Sequence, residues 1–171
     1  MIFCFIILNK HGKPRFSKFY ERMNVEEQQK FVKQTFCVIS KKTLQDCNFF
    51  FYKTLINGQE AKIIFRRYAT LYIIVCVNCC ESELGILDLI QVFVEILDVY
   101  FPNVCELHLI YHTEKVHQIL DEIIVGGIVA ETNSSLVFEA LNAQATVAKK
   151  ELENLNKVLL EYDGLTTIIK K

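Results

Sequence analysis

The stretch from residue 63 to residue 107 constrains the fold most, because apolar strands there lead directly into one long apolar helix. Helical spacing of three and four sorts its apolar residues into two stripes. The first comprises Leu84, Leu87, Ile90, Val94, Leu97 and Phe101, and the second Ile86, Leu89, Phe93, Ile96 and Tyr100. A helix with two apolar faces needs two partners: the preceding sheet, and either another helix or another polypeptide. Four acids and a glutamine interrupt the run, which argues against a membrane span.

Composition narrows the classes of protein that the chain can belong to. A length of 171 residues favours one domain. The hydrophobic fraction is 51% and the mean hydropathy +0.23, an excess that either fills a core or is covered by other subunits. The net charge of −1 argues against nucleic-acid binding, which requires a basic bias.

The order of apolar runs and turn signals predicts an α+β fold. Strands are expected at residues 1–9, 14–20, 48–52, 61–65 and 68–77, with a turn or a longer exposed loop at 54–60 and a hairpin turn at 66–67. Helices are expected from residue 24 to about 40, over 83–101 and over 114–124, while 104–111 suits either a strand or a short helix. The five strands, mostly joined by hairpins, form a mostly antiparallel sheet sandwiched by helices.

The segment beyond residue 133 has a different pattern. Its apolar positions recur at alternating steps of four and three: Leu141, Ala145, Ala148, Leu152, Leu155 and Leu159. The predicted division is therefore a domain over 1–133, a helix over 134–162 that ends at Gly164, and a disordered end over 163–171. The helix either packs on its own domain or a neighbouring subunit, or extends freely.

The cysteines and histidines carry no recognisable reaction centre. The seven cysteines include one tight cluster, Cys76-x-x-Cys79-Cys80, with no second pair to complete a zinc site. Reduced thiols in a cytosolic protein explain them best. His108, His112 and His117 are interpreted as surface or boundary residues. No catalytic motif is present, so we expect no catalytic residue, no metal and no cofactor. A thiol-dependent enzyme using Cys79 or Cys80 is the rival hypothesis.

Several motifs nevertheless resemble the small, sigma subunits of adaptor protein complexes, and the similarity covers about residues 1–133. They are Asn9-Lys10-x-Gly12-Lys13-x-Arg15 with Phe19-Tyr20, Arg66-Arg67-Tyr68-Ala69-x-Leu71-Tyr72, Phe93-Val94-Glu95-x-Leu97-Asp98, and Asn103-Val104-Cys105-Glu106-Leu107. Two longer strings, at 82–95 and 115–133, are most similar to the branch that serves adaptor protein complex 3.

The resemblance implies a longin-like fold and a role in vesicle coats. The expected partners are the large and medium subunits of a heterotetramer and the cytosolic tails of membrane cargo, with membrane contact through the assembled complex and no nucleic acid. The expected location is the cytoplasm, peripheral on Golgi, endosome and vesicle membranes. The expected transport runs from there to lysosomes or related organelles. The alternative is a stand-alone longin-type regulator of membrane fusion.

The resemblance also implies a site for acidic dileucine signals, in which an acid stands four residues before a Leu-Leu or Leu-Ile pair. Carried over by motif position, the apolar pocket comprises Ala69, Leu71, Val94, Val104 and Leu107, with Asn103 on its rim and Arg15 facing the acid. For Leu71, Val94 and Leu107, burial in the core is the alternative. The second stripe of the long helix, with Leu89, Phe93 and Ile96, is expected to contact a large subunit.

Overall fold

The computed structural model describes residues 1–42, 49–56, 58–101 and 104–169. Five strands come first with one helix among them: β1 (Ile2–Asn9), β2 (Pro14–Phe19), α1 (Val25–Lys42), β3 (Phe49–Ile56), β4 (Gln59–Tyr68) and β5 (Leu71–Asn78). Three helices and a short ribbon follow: α2 (Glu83–Tyr100), α3 (Glu106–Tyr111), α4 (Thr113–Ile123), β6 (Ile124–Val125) and β7 (Ile128–Val129). A long helix, α5 (Ser134–Ile169), comes last. The predicted α+β class is confirmed.

The main sheet has the strand order β2-β1-β5-β4-β3, and every neighbouring pair is antiparallel. All eight residues of β1 are buried, as the continuous apolar run at the start of the sequence predicts for a strand covered on both faces. Because side chains alternate along a strand, β1 and β5 each contribute residues to two separate apolar layers.

Helices cover both faces of the sheet. On one face, Phe31, Val32 and Ile39 of α1 pack with Ile6 and Ile74 of the central strands. On the other face, the ring of Phe93 on α2 lies 4.8 Å from that of Phe5 on β1, edge to face. This arrangement buries apolar surface on both sides of a sheet whose central strands carry almost no polar side chains.

Helix α2 packs against β4 and α4, so its second partner is another helix of the same chain. Leu89, Phe93 and Ile96 are 3%, 0% and 0% exposed. The prediction that these three residues contact a large subunit is therefore wrong, because the sheet and its covering layer already enclose them. The two apolar stripes of α2 therefore indicate one wide buried face, and not a face left free for another subunit.

The β4–β5 hairpin turns later than the sequence suggests. Arg66 and Arg67 are paired within the ladder, and the strands close at the Tyr68–Leu71 pair around Ala69 and Thr70. Ala69 has a φ of 48°, the left-handed region that glycine usually occupies. For 54–60 the sequence left a turn or a longer exposed loop open, and the structure favours the turn: Ile56 pairs with Gln59, and Gly58 has a φ of 79°.

The ribbon of β6 and β7 docks on the start of the main sheet through the backbone. The Ile2 amide donates a 2.7 Å hydrogen bond to the Gly127 carbonyl oxygen. Gly127 is buried and has a φ of 82°, and a Cβ placed on it would lie 2.5 Å from the carbonyl oxygen of Ile2. Only glycine meets both conditions without strain.

Residues 1–134 form one compact unit and residues 135–171 a second. Helix α5 begins at Ser134 and continues to Ile169. The prediction that Gly164 ends this helix is therefore wrong, whereas the disordered end predicted for 163–171 stays a prediction. A single glycine costs a helix only about 1 kcal/mol relative to alanine, which is too little to stop it. Among the described residues, no helix is long and apolar enough to cross a membrane.

Candidate functional site

Arg15 lies where the β1–β2 ladder is irregular. Ile7 pairs with Phe16, but the next residue, Leu8, pairs with Pro14, so Arg15 is the unpaired extra residue of β2. A bulge of this kind bends a strand and redirects the side chain at the irregular position. Here it directs Arg15 towards α3, which packs against β2.

The guanidinium of Arg15 is already paired within the chain. Its Nε donates a hydrogen bond of 2.5 Å to Oε1 of Glu106 on α3, and the two side chains are 24% and 29% exposed. The same oxygen accepts a 3.2 Å hydrogen bond from Nδ2 of Asn9. Asn9 is 4% exposed, and its Oδ1 accepts from the backbone amides of His11 and Lys13. The β1–β2 loop, Glu106 and Arg15 are therefore held by one hydrogen-bonded network.

The network favours the ionised form of Glu106. Burial alone disfavours the carboxylate, but the hydrogen bonds from Asn9 and Arg15, together with the charges of Arg15 and His11, outweigh it and lower the pKa of Glu106. A carboxyl whose pKa falls on folding stabilises the fold above its ordinary pKa, and that contribution is lost only as the pH falls through the lowered value. The Arg15–Glu106 pair is therefore intact throughout the neutral range.

Two of the predicted pocket residues lie at the same end of the sheet. Leu71 begins β5, where it pairs with Asn9 on one side and Tyr68 on the other. Leu71 lies two and four residues before Ile73 and Val75, so the three side chains are on the same face of the sheet. This is the face that α2 covers, and Asn9 is on it too. Ala69 is exposed in the adjoining turn, and its carbonyl oxygen accepts a 3.1 Å hydrogen bond from Nε of Arg67.

Helix α2 brings Val94 to this end of the sheet. Gln91, one turn earlier on the same side of the helix, accepts a 2.8 Å hydrogen bond from the Tyr68 hydroxyl through Oε1. Its Nε2 donates a 2.8 Å hydrogen bond to Glu95. These contacts fix the middle of α2 against the strand end that carries Leu71.

The segment after α2 supplies the remaining residues. Val104 precedes α3 and is half-buried, and Leu107 on α3 is 58% exposed. Asn103, predicted for the rim, lies outside the described residues. Leu71 and Val94 are also half-buried, so none of the three residues for which core burial was the alternative is enclosed by the chain. The six described residues of the predicted site thus occupy partly exposed positions around one end of the sheet.

Sequence reasoning assigned no role to Asn9 or Glu106, although both stand inside the motifs that carry the resemblance. The Arg15–Glu106 pair joins residues 91 positions apart, and no local pattern indicates which acid meets which base over that distance. The only available signal was the presence of an unassigned acid beside Val104 and Leu107.

The cluster of Cys76, Cys79 and Cys80 lies at the opposite end of β5 from Leu71, whereas His108 follows Leu107 on α3. Cys76 is buried in β5 opposite Cys4, while Cys79 is half-buried and Cys80 exposed after the strand ends. Burial raises the pKa of the Cys4 thiol, which keeps it protonated. His108 and His112 stack on Phe101, and the ring centroid of His117 lies 4.4 Å from that of Phe16 with the rings tilted by 44°. Across the described residues, no three His, Cys, Asp or Glu side chains are grouped to hold a metal.

Comparison with known proteins identifies the family. The sequence model of the clathrin adaptor complex small chain matches residues 1–148. The chain belongs to the clathrin adaptor small-chain family. It is 50% identical to the AP-3 complex subunit sigma-2 of Homo sapiens over 151 residues, which is 88% of this chain and 78% of that one. It is 46% identical to the AP-3 complex subunit sigma of Dictyostelium discoideum over 172 residues, 99% and 98% of the two chains.

The fold agrees with this membership in the small-chain family. A chain in a homology model of the full-length AP-3 complex in a stretched open conformation superposes with a TM-score of 0.65 at 34% identity, covering 90% of this chain and 99% of that one. The longin-like sheet and its covering helices are thus the fold of an adaptor small chain. Members of this family are subunits of trafficking adaptors, a structural class distinct from enzymes.

Proposed function

We propose that this chain is the small subunit of a heterotetrameric AP-3-type vesicle coat adaptor and that it binds acidic dileucine sorting signals. One observation carries the binding role: a set of apolar side chains around one end of the sheet stays partly exposed beside the bulged Arg15. Apolar side chains that are exposed together at one place, rather than singly, mark a binding surface.

The free energies of leucine burial and of ion pairing indicate which part of a dileucine signal contributes most to the affinity. Each leucine gains about 1.5–3 kcal/mol when its side chain is fully buried. A carboxylate beside a partly exposed arginine adds only about 0.2–1 kcal/mol. Immobilising an extended tail opposes both gains. The leucine pair therefore provides most of the affinity, and the acid adjusts it.

Weak binding of a single tail suits an adaptor that acts on a membrane. Several simultaneous contacts between the assembled complex and the membrane raise the effective concentration of each one. We place the subunit in the cytoplasm, on the cytosolic face of Golgi, endosome and vesicle membranes, in transport to lysosomes or related organelles. The basis for this route is the similarity to AP-3 sigma subunits.

Large apolar side chains that remain exposed on the first compact unit support assembly with other subunits. Several are more than half exposed: Leu84, Val99, Leu107, Tyr111, Val125 and Ile128. Exposed apolar side chains that lie together mark surfaces that bind other proteins. We propose that the large and medium subunits cover part of it.

Peptide titration of the purified heterotetramer tests the binding role. Three peptides suffice: one with an acid and a Leu-Leu pair, one with glutamine in place of the acid, and one with Ala-Ala in place of the leucines. The expected result is measurable binding of the first peptide, weaker binding of the second and at least about a 100-fold loss for the third, since two buried leucines are removed. Equal binding of all three peptides contradicts the proposal.

Arg15→Ala isolates the contribution of the acid. The variant should bind the acidic peptide about two- to five-fold more weakly and the glutamine peptide unchanged, because it removes one partly exposed ion pair with the ligand. Calorimetric titration of the assembled variant measures both values. An equal loss for both peptides would show that Arg15 shapes the apolar site instead of recognising the charge.

A further inference from the structure

Glu106 occupies the Nε edge of the Arg15 guanidinium, which is one of the edges to which a carboxylate can bind. The carboxylate accepts from Nε of Arg15, and Asn9 holds that carboxylate from the buried side. The arginine that is expected to attract a negative signal therefore stands next to a fixed negative charge of the same chain, and the pair together carries no net charge.

The geometry leaves part of the guanidinium available. Arginine carries five N–H donors, one on Nε and four on the two Nη atoms. Nε is used by Glu106, and within the described residues the Nη atoms have no hydrogen-bond partner. A ligand carboxylate can therefore bind the Nη edge while Glu106 keeps the Nε edge. In that arrangement the two carboxylates face the same cation and repel each other.

We propose that Glu106 is a specificity-determining residue that holds Arg15 in place and weakens its attraction for the acid of the sorting signal. This proposal rests on the proposed dileucine-binding function. With Glu106 present, the leucine pair governs binding and the acid adds little. Without its charge, Arg15 carries a full unit of positive charge and acidic signals gain affinity over neutral ones.

Glu106→Gln tests this proposal, because it removes the charge but keeps a side-chain oxygen that can accept from Asn9 and Arg15. The quantity to measure is the ratio of affinities for the acidic and glutamine peptides in the assembled complex. Any misfolded fraction of the complex lowers the binding of both peptides equally, so a partial folding defect does not change the ratio of the two affinities. Glu26→Gln is the matched control, since Glu26 is exposed on α1, against the opposite face of the sheet.

The expected result is that Glu106→Gln raises this ratio about two- to five-fold, the effect of one partly exposed charge. Glu26→Gln should leave the ratio unchanged, and adding Arg15→Ala to Glu106→Gln should abolish the gain. Glu106→Ala must show the same direction as Glu106→Gln. An unchanged or lower ratio in Glu106→Gln overturns the proposal while leaving the dileucine site standing. A wild-type complex that binds neither peptide overturns both.

Discussion

Val94→Asp is expected to abolish capture of dileucine signals while leaving the adaptor assembled. Val94 is half-buried on α2, so an aspartate there can reach water in the unliganded chain. When a leucine enters the site, however, the carboxylate loses its hydration without gaining a partner, which costs about 1–3 kcal/mol at the least. The lost apolar wall and repulsion of the signal's own acid add to this cost. We expect at least a 100-fold loss of affinity by titration with the acidic dileucine peptide.

A matched substitution separates this effect from a general defect. Val25→Asp makes the same chemical change at a residue that is 67% exposed on α1, against the opposite face of the sheet. It should bind the peptide as the wild type does. Both variants should elute as complete heterotetramers on size-exclusion chromatography. Retained binding in an assembled Val94→Asp complex would remove Val94 from the site.

Gly127→Ala is expected to produce the largest loss of stability. Left-handed backbone costs an alanine about 1–2 kcal/mol. The added Cβ would also lie 2.5 Å from the carbonyl oxygen of Ile2, and overpacking of this kind costs about 1–3 kcal/mol. Since the Ile2 amide bonds to Gly127, relief of the clash separates the β6–β7 ribbon from β1. Hydrogen–deuterium exchange of the β1 amides in the assembled complex should accelerate by about 100-fold.

Gly126→Ala provides the comparison for this effect. Gly126 also has a positive φ, 59°, but a Cβ there would meet nothing within 4 Å. Gly126→Ala therefore has only the backbone cost. The exchange rate of the β1 amides should increase less in this variant than in Gly127→Ala. Equal exchange rates in the two variants would show that the close approach to Ile2 is not what makes glycine necessary at 127.

The sequence predicts the layers of this fold well because hydrophobic periodicity is a local signal. The fully apolar run at the start of the chain indicates a central strand, and the spacing within residues 83–101 indicates a helix with a wide buried face. The same signal cannot identify what covers that face. Phe93 and Ile96 are enclosed within their own chain, where a partner subunit was predicted.

The errors in the turns have a different cause. The β4–β5 turn contains neither glycine nor proline and relies on Ala69 in a left-handed conformation, so no turn signal marks it. Gly126 and Gly127 correctly indicate the end of a helix, but they also form the turn between β6 and β7. These strands have two residues each, which is too short to show an alternation of apolar and polar side chains. The Arg15–Glu106 pair depends on tertiary packing of α3 on β2, which no local pattern encodes.

Photo-crosslinking of a bound signal tests the central proposal most directly. An acidic dileucine peptide with a photoreactive leucine in the pair is bound to the purified heterotetramer, irradiated, and located by mass spectrometry. We predict crosslinks on this chain at the start of β5, the middle of α2 and the segment around Val104 and Leu107. They should be lost when excess unlabelled peptide competes. Crosslinks confined to the other subunits, or to α1 on the opposite face, would contradict the proposed site.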